Sequence, residues 1–414
     1  MGSAFCEIPG LRSETWGAQH SASKERLNME LLLHTPDLPT NLSQHYEKAF
    51  KNATELFVVT AYLTDWDSAL HLNPECRRFR VIIGSDFGIT RRAACEKVMR
   101  WLPPNRKDQF LVADRIDGFH PKAVFWKDRK GEYFALVGSS NLTRAAFETN
   151  YEANAFCQPS EADYVRARKW VMDIERQSVV ISEDWLKGYI EAAPGATHEA
   201  RRRGIGSLGS ESVIEFSLPT PRRMEELIIR RRKALVAYGQ QRIKLESLFR
   251  RCANGRITSS KFYEELPRYW SENVGDRMQG FGFEIKGKHS NFQLLSQSFI
   301  KILDAPDEDR DYVVSEEIDQ LRKRNVPTRG AFLSEMLCLR FPNYYPVLAK
   351  PVWKYLQAME YRAPRNSSEG SYYIFLSKAL RTSLLHNPEH PAKDLAELDT
   401  VIWLAYGKEN KGAS

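Results

Sequence analysis

A chain of 414 residues, with 42% hydrophobic and 11% aromatic residues, can bury proper cores, and its length predicts two domains, or two and a subdomain. No apolar run approaches the roughly 20 residues that a membrane-spanning helix needs, and the N-terminus lacks the charged start and apolar core of a signal peptide. The composition excludes a disordered chain. We expect a cytoplasmic protein with no membrane partner.

The cysteines and histidines do not form a recognisable metal-binding pattern. The six cysteines are scattered along the chain, without a Cys-x-x-Cys pair and without a histidine at zinc-ligand spacing. A metal site is therefore not expected. Nothing in the sequence indicates a cofactor.

The first half of the chain alternates helical and strand patterns after 25 irregular residues. The helices have apolar residues at helical spacing, and the strands are short apolar or aromatic runs bounded by turn residues. This alternation indicates an α/β layer fold. The predicted helices are 41–53, 91–102 and 161–177, and the predicted strands are 56–63, 79–84, 110–116, 132–137 and 151–157.

A compact segment at 118–157 concentrates residues that suit phosphate chemistry. His120 and Lys122 are two residues apart, and in a strand this spacing puts both side chains on the same face. A nucleophilic imidazole and a phosphate-binding ammonium can therefore converge there.

A small polar turn, GSSN at 138–141, ends the next predicted strand. Its glycine lets a phosphoryl oxygen approach closely, and its backbone N–H groups, hydroxyls and amide are donors for that oxygen. Glu152 lies in the following strand, where its carboxylate could hold one nitrogen of His120 protonated and leave the other free to attack phosphorus. The predicted catalytic residues are His120, Lys122, Ser139, Asn141 and Glu152, and Ser140 is a predicted substrate-binding residue.

These residues resemble the signature of the phospholipase D superfamily, H-x-K-x4-D-x6-G-S-x-N followed by a downstream glutamate. The chain has the first element at His120 and Lys122, the Gly-Ser-x-Asn element at 138–141, and the glutamate at Glu152. It departs from the signature at the aspartate, which stands one residue later at Asp128, and in a longer charged segment that reads as an extended hairpin loop. Asp128 is therefore not counted among the predicted site residues.

The resemblance implies a phospholipase D-like layered α/β catalytic domain and a phosphodiesterase that needs no metal. Superfamily members usually bring two His-x-Lys motifs together, whereas this sequence contains a single one, at His120. An isologous homodimer that apposes two copies of the segment is the simplest solution. One His120 would attack phosphorus to form a phosphohistidine, and the other would act as general acid and then activate water. Lys122, Ser139 and Asn141 of both subunits would stabilise the pentavalent phosphorus.

The second half of the chain has a different organisation. Residues 194–212 are rich in Gly, Ser and Arg and read as an interdomain linker. We expect the catalytic domain at 25–193 and a mostly α-helical, nucleic-acid-binding or regulatory domain at 213–407. The predicted helices are 221–251, 292–303, 315–324, 331–340 and 352–359, with dividing loops at 305–310 and 363–371.

The formal net charge of +7 is concentrated in the second half, because the first 200 residues are nearly neutral. Clusters of Lys and Arg lie along the predicted helix at 221–251. Such a basic stripe suits the phosphate backbone of a nucleic acid, although any one cluster also fits an ordinary solvated helix face. The predicted substrate-binding residues of the stripe are Arg222, Arg223, Arg230, Arg231, Arg232 and Lys233.

Three functions are compatible with these patterns. The preferred hypothesis is a metal-independent DNA endonuclease of restriction or defence type, resembling the restriction-endonuclease branch of the superfamily. The second is a hydrolase or transferase for a lipid or another small phosphodiester, which predicts an apolar entrance or an interfacial helix. The third is a nucleic-acid-binding protein with a vestigial site, and the complete set of motif residues argues against it.

Overall fold

The computed structural model describes most of the chain. The predicted linker lies outside the described residues, and the predicted domain boundaries therefore stay a prediction. The described residues are 29–38, 40–193, 216–278, 283 and 287–407.

Within the described ranges, eight strands form one mixed sheet in the order β1-β7-β6-β5-β2-β3-β4-β8. Strands β2, β3 and β4 are parallel neighbours, and every other neighbouring pair is antiparallel. The strands are β1 (Met29–His34), β2 (Ala53–Thr60), β3 (Arg78–Ile83), β4 (Phe110–Val112), β5 (Lys122–Asp128), β6 (Tyr133–Gly138), β7 (Glu152–Cys157) and β8 (Val179–Val180).

Helices flank this sheet and make up most of the second half. Those of the first half are α1 (Leu42–Asn52), α2 (Arg92–Trp101), α3 (Arg144–Glu148), α4 (Glu161–Arg176) and α5 (Glu183–Gly188). Those of the second half are α6 (Met224–Ala253), α7 (Ser259–Glu265), α8 (Phe292–Leu303), α9 (Asp307–Lys323), α10 (Ala331–Arg340), α11 (Lys350–Ala358), α12 (Glu369–Leu385) and α13 (Leu395–Tyr406).

The two faces of the sheet are covered by different helices. Helices α1 and α2 lie on one face, where Phe50 and Val98 join a buried apolar cluster with Trp126 of β5. Helix α4 lies on the other face, where Tyr164 and Val171 join a second cluster with residues of β2, β3 and β4. The first half is thus a layered α/β domain, as the alternation of predicted elements indicated, and the region after it is helical.

Several elements differ from the sequence-based prediction. Strand β4 has three residues instead of the predicted 110–116, because the chain turns back where the Ile116 N–H bonds the carbonyl of Ala113. The predicted loop at 305–310 is wrong, since α9 already begins at Asp307 with three acidic residues in its first turn that favour a helix N-terminus. The prediction missed β1, β8, α5, α7, α12 and α13.

Buried charged groups join the helical region to the sheet. Lys378 of α12 lies 2.8 Å from a carboxylate oxygen of Glu175, which also pairs with Arg80 of β3 at 2.8 Å. Although burial opposes ionisation, the two cations hold the pKa of Glu175 well below its usual value. Ser371 of α12 donates a hydrogen bond to the buried Asp108. These contacts lie around β3, the turn before β4 and the end of α4.

Replacing Lys378 with Met tests this junction. The free energy of unfolding should fall by about 3 kcal/mol, the lower end for a broken buried ion pair, because Arg80 still pairs with Glu175. Urea denaturation would measure the change. The control variant Arg166→Ala, which removes an exposed pair with Asp163, should cost less than about 1 kcal/mol, and equal losses in the two variants would contradict the interpretation.

Candidate active site

The ends of four adjacent strands form one edge of the sheet, and the predicted catalytic residues lie along it. Thr60 at the end of β2 is opposite Lys122 at the start of β5. Because β5, β6 and β7 are antiparallel, the start of β5, the end of β6 and the start of β7 are neighbours. The structure therefore brings together the motifs at 120–122, 138–141 and 152.

His120 and Lys122 form the local pair that their spacing predicts. The Lys122 Nζ lies 2.9 Å from His120 Nδ1 and 3.3 Å from His120 Nε2, and it also donates a hydrogen bond to the His120 carbonyl at 3.0 Å. The imidazole meets the ring of Tyr62 edge to face at 5.6 Å. One side of His120 is thus supported by protein, while the residue as a whole remains exposed to solvent.

The turn after β6 is built on a close backbone approach. A Cβ atom on Gly138 would lie 2.3 Å from the Asn154 side chain and 2.4 Å from the Ala153 carbonyl, so only glycine fits there. Ser139 accepts a hydrogen bond from the Ala153 N–H at 3.0 Å and donates one to Glu152. This network fixes the Ser139 hydroxyl at the exposed edge.

Asn141 is oriented by two donors, one at the end of β2 and one just after it. The Tyr62 N–H and the Thr60 hydroxyl both donate to Asn141 Oδ1, each at 3.2 Å. Because a backbone N–H can only donate, the oxygen of the amide must face β2, and the amide NH2 points the other way as a donor. Thr60 also accepts a hydrogen bond from the Leu142 N–H at 3.2 Å. Thr60 is a positioning residue outside the motif, and its sequence signal was a polar residue at the end of an apolar strand.

Two predicted residues have different surroundings from those expected. The carboxylate of Glu152 accepts hydrogen bonds from Ser139 and from Asn150, so it orients the serine instead of the imidazole of His120. Ser140 is buried and exchanges hydrogen bonds with Asn154, an arrangement that holds the turn together. The backbone N–H of Ser140 is therefore engaged by Asn154, and burial keeps the hydroxyl, which accepts from Asn154, away from a ligand.

A second carboxylate, that of Asp86, influences His120. Partial burial and the ammonium of Lys122 lower the pKa of His120, and the charge of Asp86 opposes this shift. Asp86 accepts backbone hydrogen bonds from Gly118 and Phe119, the two residues that precede the histidine. Burial and the nearby Asp117 raise the pKa of Asp86 itself. Burial also lowers the pKa of Lys122, against the effect of Glu152.

Asp128 does not belong to this edge. It ends β5 at the opposite end of the strand, and its carboxylate accepts the N–H groups of Lys130 and Glu132 at 2.8 and 3.0 Å. Its role is to close the hairpin between β5 and β6, which is a common role for aspartate in turns.

Six basic residues were predicted on α6 and just before it, and three of them pair with acidic side chains of the protein. Arg231 is buried and bonds Thr400 and Asp399 of α13, while Arg232 pairs with Glu397. Arg231 therefore cannot contact a substrate in this conformation, because it is buried between α6 and α13 and its charge is paired with that of Asp399. Arg223 pairs with Glu226. The remaining three, Arg222, Arg230 and Lys233, are exposed.

Among the described residues, no group of three or more His, Cys, Asp or Glu side chains is arranged to hold a metal ion. No helix in the described ranges is both long and apolar enough to cross a membrane.

Most of the part of the chain that forms the sheet matches a known protein family. Residues 40–184 match the family model described as NgoFVII restriction endonuclease N-terminal PLD domain. This segment is a phospholipase D-like domain. It includes all five predicted catalytic residues, from His120 to Glu152. No curated protein shows detectable sequence similarity to the chain.

Several solved structures are similar to part of the chain. NucT from Helicobacter pylori has 14% identity and a TM-score of 0.29, with 38% of this chain and 100% of that chain covered. Nuc from Salmonella typhimurium, a phospholipase D family member, has 16% identity and a TM-score of 0.28, with 37% and 97% covered. Phosphatidylserine synthase from Haemophilus influenzae Rd KW20 has 15% identity and a TM-score of 0.27, with 46% and 47% covered.

The charges around His120 in the phospholipase D-like domain predict the direction of two pKa changes. The pKa of His120 should lie below the usual value of about 6.5, rise in Lys122→Met and fall further in Asp86→Asn, which keeps a hydrogen-bond acceptor but loses the negative charge. NMR titration of the imidazole resonances would measure both shifts. An unchanged pKa in both variants would show that neither charge acts on the imidazole.

Proposed function

We propose that this protein is a phosphodiesterase that cleaves DNA without a metal ion. The observation that carries the proposal is the convergence of His120, Lys122, Ser139 and Asn141 at one exposed edge of a phospholipase D-like domain. The edge offers a nucleophile, a cation and neutral donors within one small area. The match to a restriction-endonuclease domain family supports a nucleic acid as the substrate.

The first step would be attack of neutral His120 on phosphorus. An N–P bond forms, the bond from phosphorus to the leaving oxygen breaks, and that oxygen receives a proton from a general acid. The lowered pKa of His120 favours the unprotonated, nucleophilic imidazole at neutral pH, whereas the imidazole that serves as general acid must take up a proton when the negatively charged phosphate binds. Water then attacks the phosphohistidine, the N–P bond breaks, and His120 is released.

The donors at the edge suit the charge that develops in these steps. Lys122 supplies a positive charge, and the Asn141 amide has its NH2 group turned away from β2. Preorganised donors of this kind stabilise a pentavalent phosphorus without rearranging during the reaction. We propose that they perform the electrostatic role that a metal ion has in other nucleases.

The general acid would be His120 of a second copy of the chain. The phospholipase D-like segment contains one His-x-Lys motif, and an acid is needed on the side of phosphorus opposite the nucleophile. A homodimer with two-fold symmetry supplies it. The second imidazole would protonate the leaving oxygen and afterwards accept a proton from the attacking water.

Cleavage in excess EDTA tests the nuclease proposal. Wild-type protein should cut plasmid or single-stranded DNA in EDTA, and His120→Ala should lose at least about 1,000-fold in rate because the nucleophile is gone. The control His71→Ala changes an exposed histidine outside the site and should cut normally. Sensitivity of wild-type cleavage to EDTA would contradict the metal-independent mechanism. If neither the wild type nor a variant cuts DNA, but the wild type hydrolyses phosphatidylcholine vesicles, the result would favour a lipid phosphodiesterase.

The exposed basic residues at the start of α6 are the proposed backbone contacts. Replacing Arg222, Arg230 and Lys233 together with Ala should reduce the slope of log K against log salt concentration by roughly 2 to 3, because each phosphate contact releases about one counterion. Fluorescence anisotropy with duplex DNA and the cleavage-deficient His120→Ala background would measure it. An unchanged slope would remove α6 from the DNA-binding surface. The control Arg166→Ala, an exposed arginine on α4, should leave the slope unchanged.

A further inference from the structure

A cavity of about 690 Å³ lies where the sheet domain meets the helical region. One wall consists of β3 and the end of α4, and the other consists of the start of α9, the segment after α10, the second half of α12 and the start of α13. Sites for small molecules have volumes of roughly 300 to 1,000 Å³ and are frequent between domains. None of the described lining residues belongs to the active-site edge. The cavity is therefore a separate candidate binding site.

Paired charges form part of the wall of this cavity. The ion pairs around Glu175 lie on one side. On the other side, Asp311 accepts hydrogen bonds from the Arg381 guanidinium at 3.0 Å and from the Tyr345 hydroxyl at 2.8 Å. Although burial opposes ionisation, the charges of Arg381 and Lys378 lower the pKa of Asp311. These contacts hold Arg381 in place, so a ligand that binds it loses little affinity to rearrangement.

Two charges of the wall indicate the sign of the ligand. The carboxylate of Glu308 lies 3.2 Å from Arg168, which does not line the cavity, so part of its charge is neutralised elsewhere. The ammonium of Lys393 donates to the carbonyl of Pro388 at 2.7 Å and pairs with no carboxylate in the described ranges. An ammonium without a paired carboxylate, in a concave site, attracts an anion.

The cavity also has an apolar part. The side chains of Tyr344 and Leu385 line it and are 44% and 63% exposed, which is a large exposure for an aromatic and an aliphatic residue. The guanidinium of Arg381 lies over the Tyr344 ring, 5.5 Å from the ring centroid. An exposed tyrosine ring is a surface on which a planar aromatic group can stack. The aromatic surface and the cation are therefore next to each other.

The amide side chains of Asn343 and Asn387 line the same cavity and are exposed. Amides can donate and accept hydrogen bonds, as the edge of a base and the hydroxyls of a sugar require. A ligand that combines a planar ring, polar edges and a negative charge would use all of these groups. A nucleotide has this combination.

We propose that this cavity binds a free nucleoside monophosphate, with its base on Tyr344 and its phosphate beside Arg381 and Lys393. The proposal does not depend on nuclease activity, because the site is apart from the catalytic edge. The walls come from both halves of the chain, so the bound nucleotide contacts the sheet domain and the helical region together. Nucleotide binding should therefore raise the unfolding temperature of the whole protein.

Isothermal titration of the wild type with adenosine 5′-monophosphate and with thymidine 5′-monophosphate tests the proposal. At least one of them should bind with a Kd of roughly 10 to 1,000 µM. Adenosine, thymidine and inorganic phosphate should bind at least ~10-fold more weakly, because each offers only the ring or only the charge. Absence of binding by both nucleotides would overturn the proposal, as would inorganic phosphate or the nucleosides binding equally well.

Two variants of exposed residues test the position of the nucleotide. Tyr344→Ala and Lys393→Met should each raise the Kd at least ~10-fold, because stacking or the ammonium is lost. The controls are Trp353→Ala, an aromatic residue that is also 44% exposed but does not line the cavity, and Lys323→Met, an exposed lysine at the far end of α9. Both controls should bind as the wild type does. Folded Tyr344→Ala and Lys393→Met proteins with an unchanged Kd would contradict the proposed site.

Two further titrations separate this site from the candidate active site and from a DNA strand. His120→Ala should bind the nucleotide with an unchanged Kd, and loss of binding would place the nucleotide at the catalytic edge instead. Decathymidylate with a 5′-phosphate should not displace the nucleotide, because the cavity has room for about one nucleotide. Displacement would contradict a free nucleotide as the ligand and would assign the cavity to the end of a strand. None of these measurements requires DNA cleavage, so failure of the nuclease proposal would leave them unaffected.

Discussion

The hydrogen-bond register of β2, β5, β6 and β7 is the constraint on which the candidate site depends. It places Lys122 opposite Thr60 and Gly138 opposite Asn154, so that motifs separated along the chain meet at one edge. A slip of one residue in any of these strands would turn its side chains to the other face and separate the donors from the imidazole. Large buried side chains such as Trp126 oppose such a slip, because they would have to leave the core.

Several residues of the candidate site are held in place by hydrogen bonds with a neighbouring side chain. Thr60 holds Asn141, Glu152 holds Ser139, and Asp86 holds the backbone just before His120. Each of these supporting groups is more buried than the side chain that it positions. The exposed side chains can therefore meet a phosphate with little loss of conformational freedom, which is the basis of electrostatic preorganisation.

The helical region is attached away from this edge. Its buried ion pairs contact Arg80 of β3, Asp108 before β4 and Glu175 near the end of α4. The active-site residues lie instead at the ends of β5, β6 and β7, toward the other side of the sheet. In the described residues, these contacts of the helical region therefore lie away from the part of the sheet that carries the candidate site.

The sequence by itself determined the α/β character of the first half, the helical character of the second and the residues of the site motif. Periodicity and turn residues are local properties, and His120, Lys122 and the 138–141 turn all act within short stretches of chain. It could not determine that Glu152 accepts a hydrogen bond from Ser139, that Asp86 raises the pKa of His120, or that Arg231 pairs with Asp399. It also missed β1, whose exposed apolar row does not follow the usual alternation of apolar and polar residues. Only the tertiary structure decided these points, because each depends on a contact between residues distant in sequence, and such contacts leave no local pattern to read.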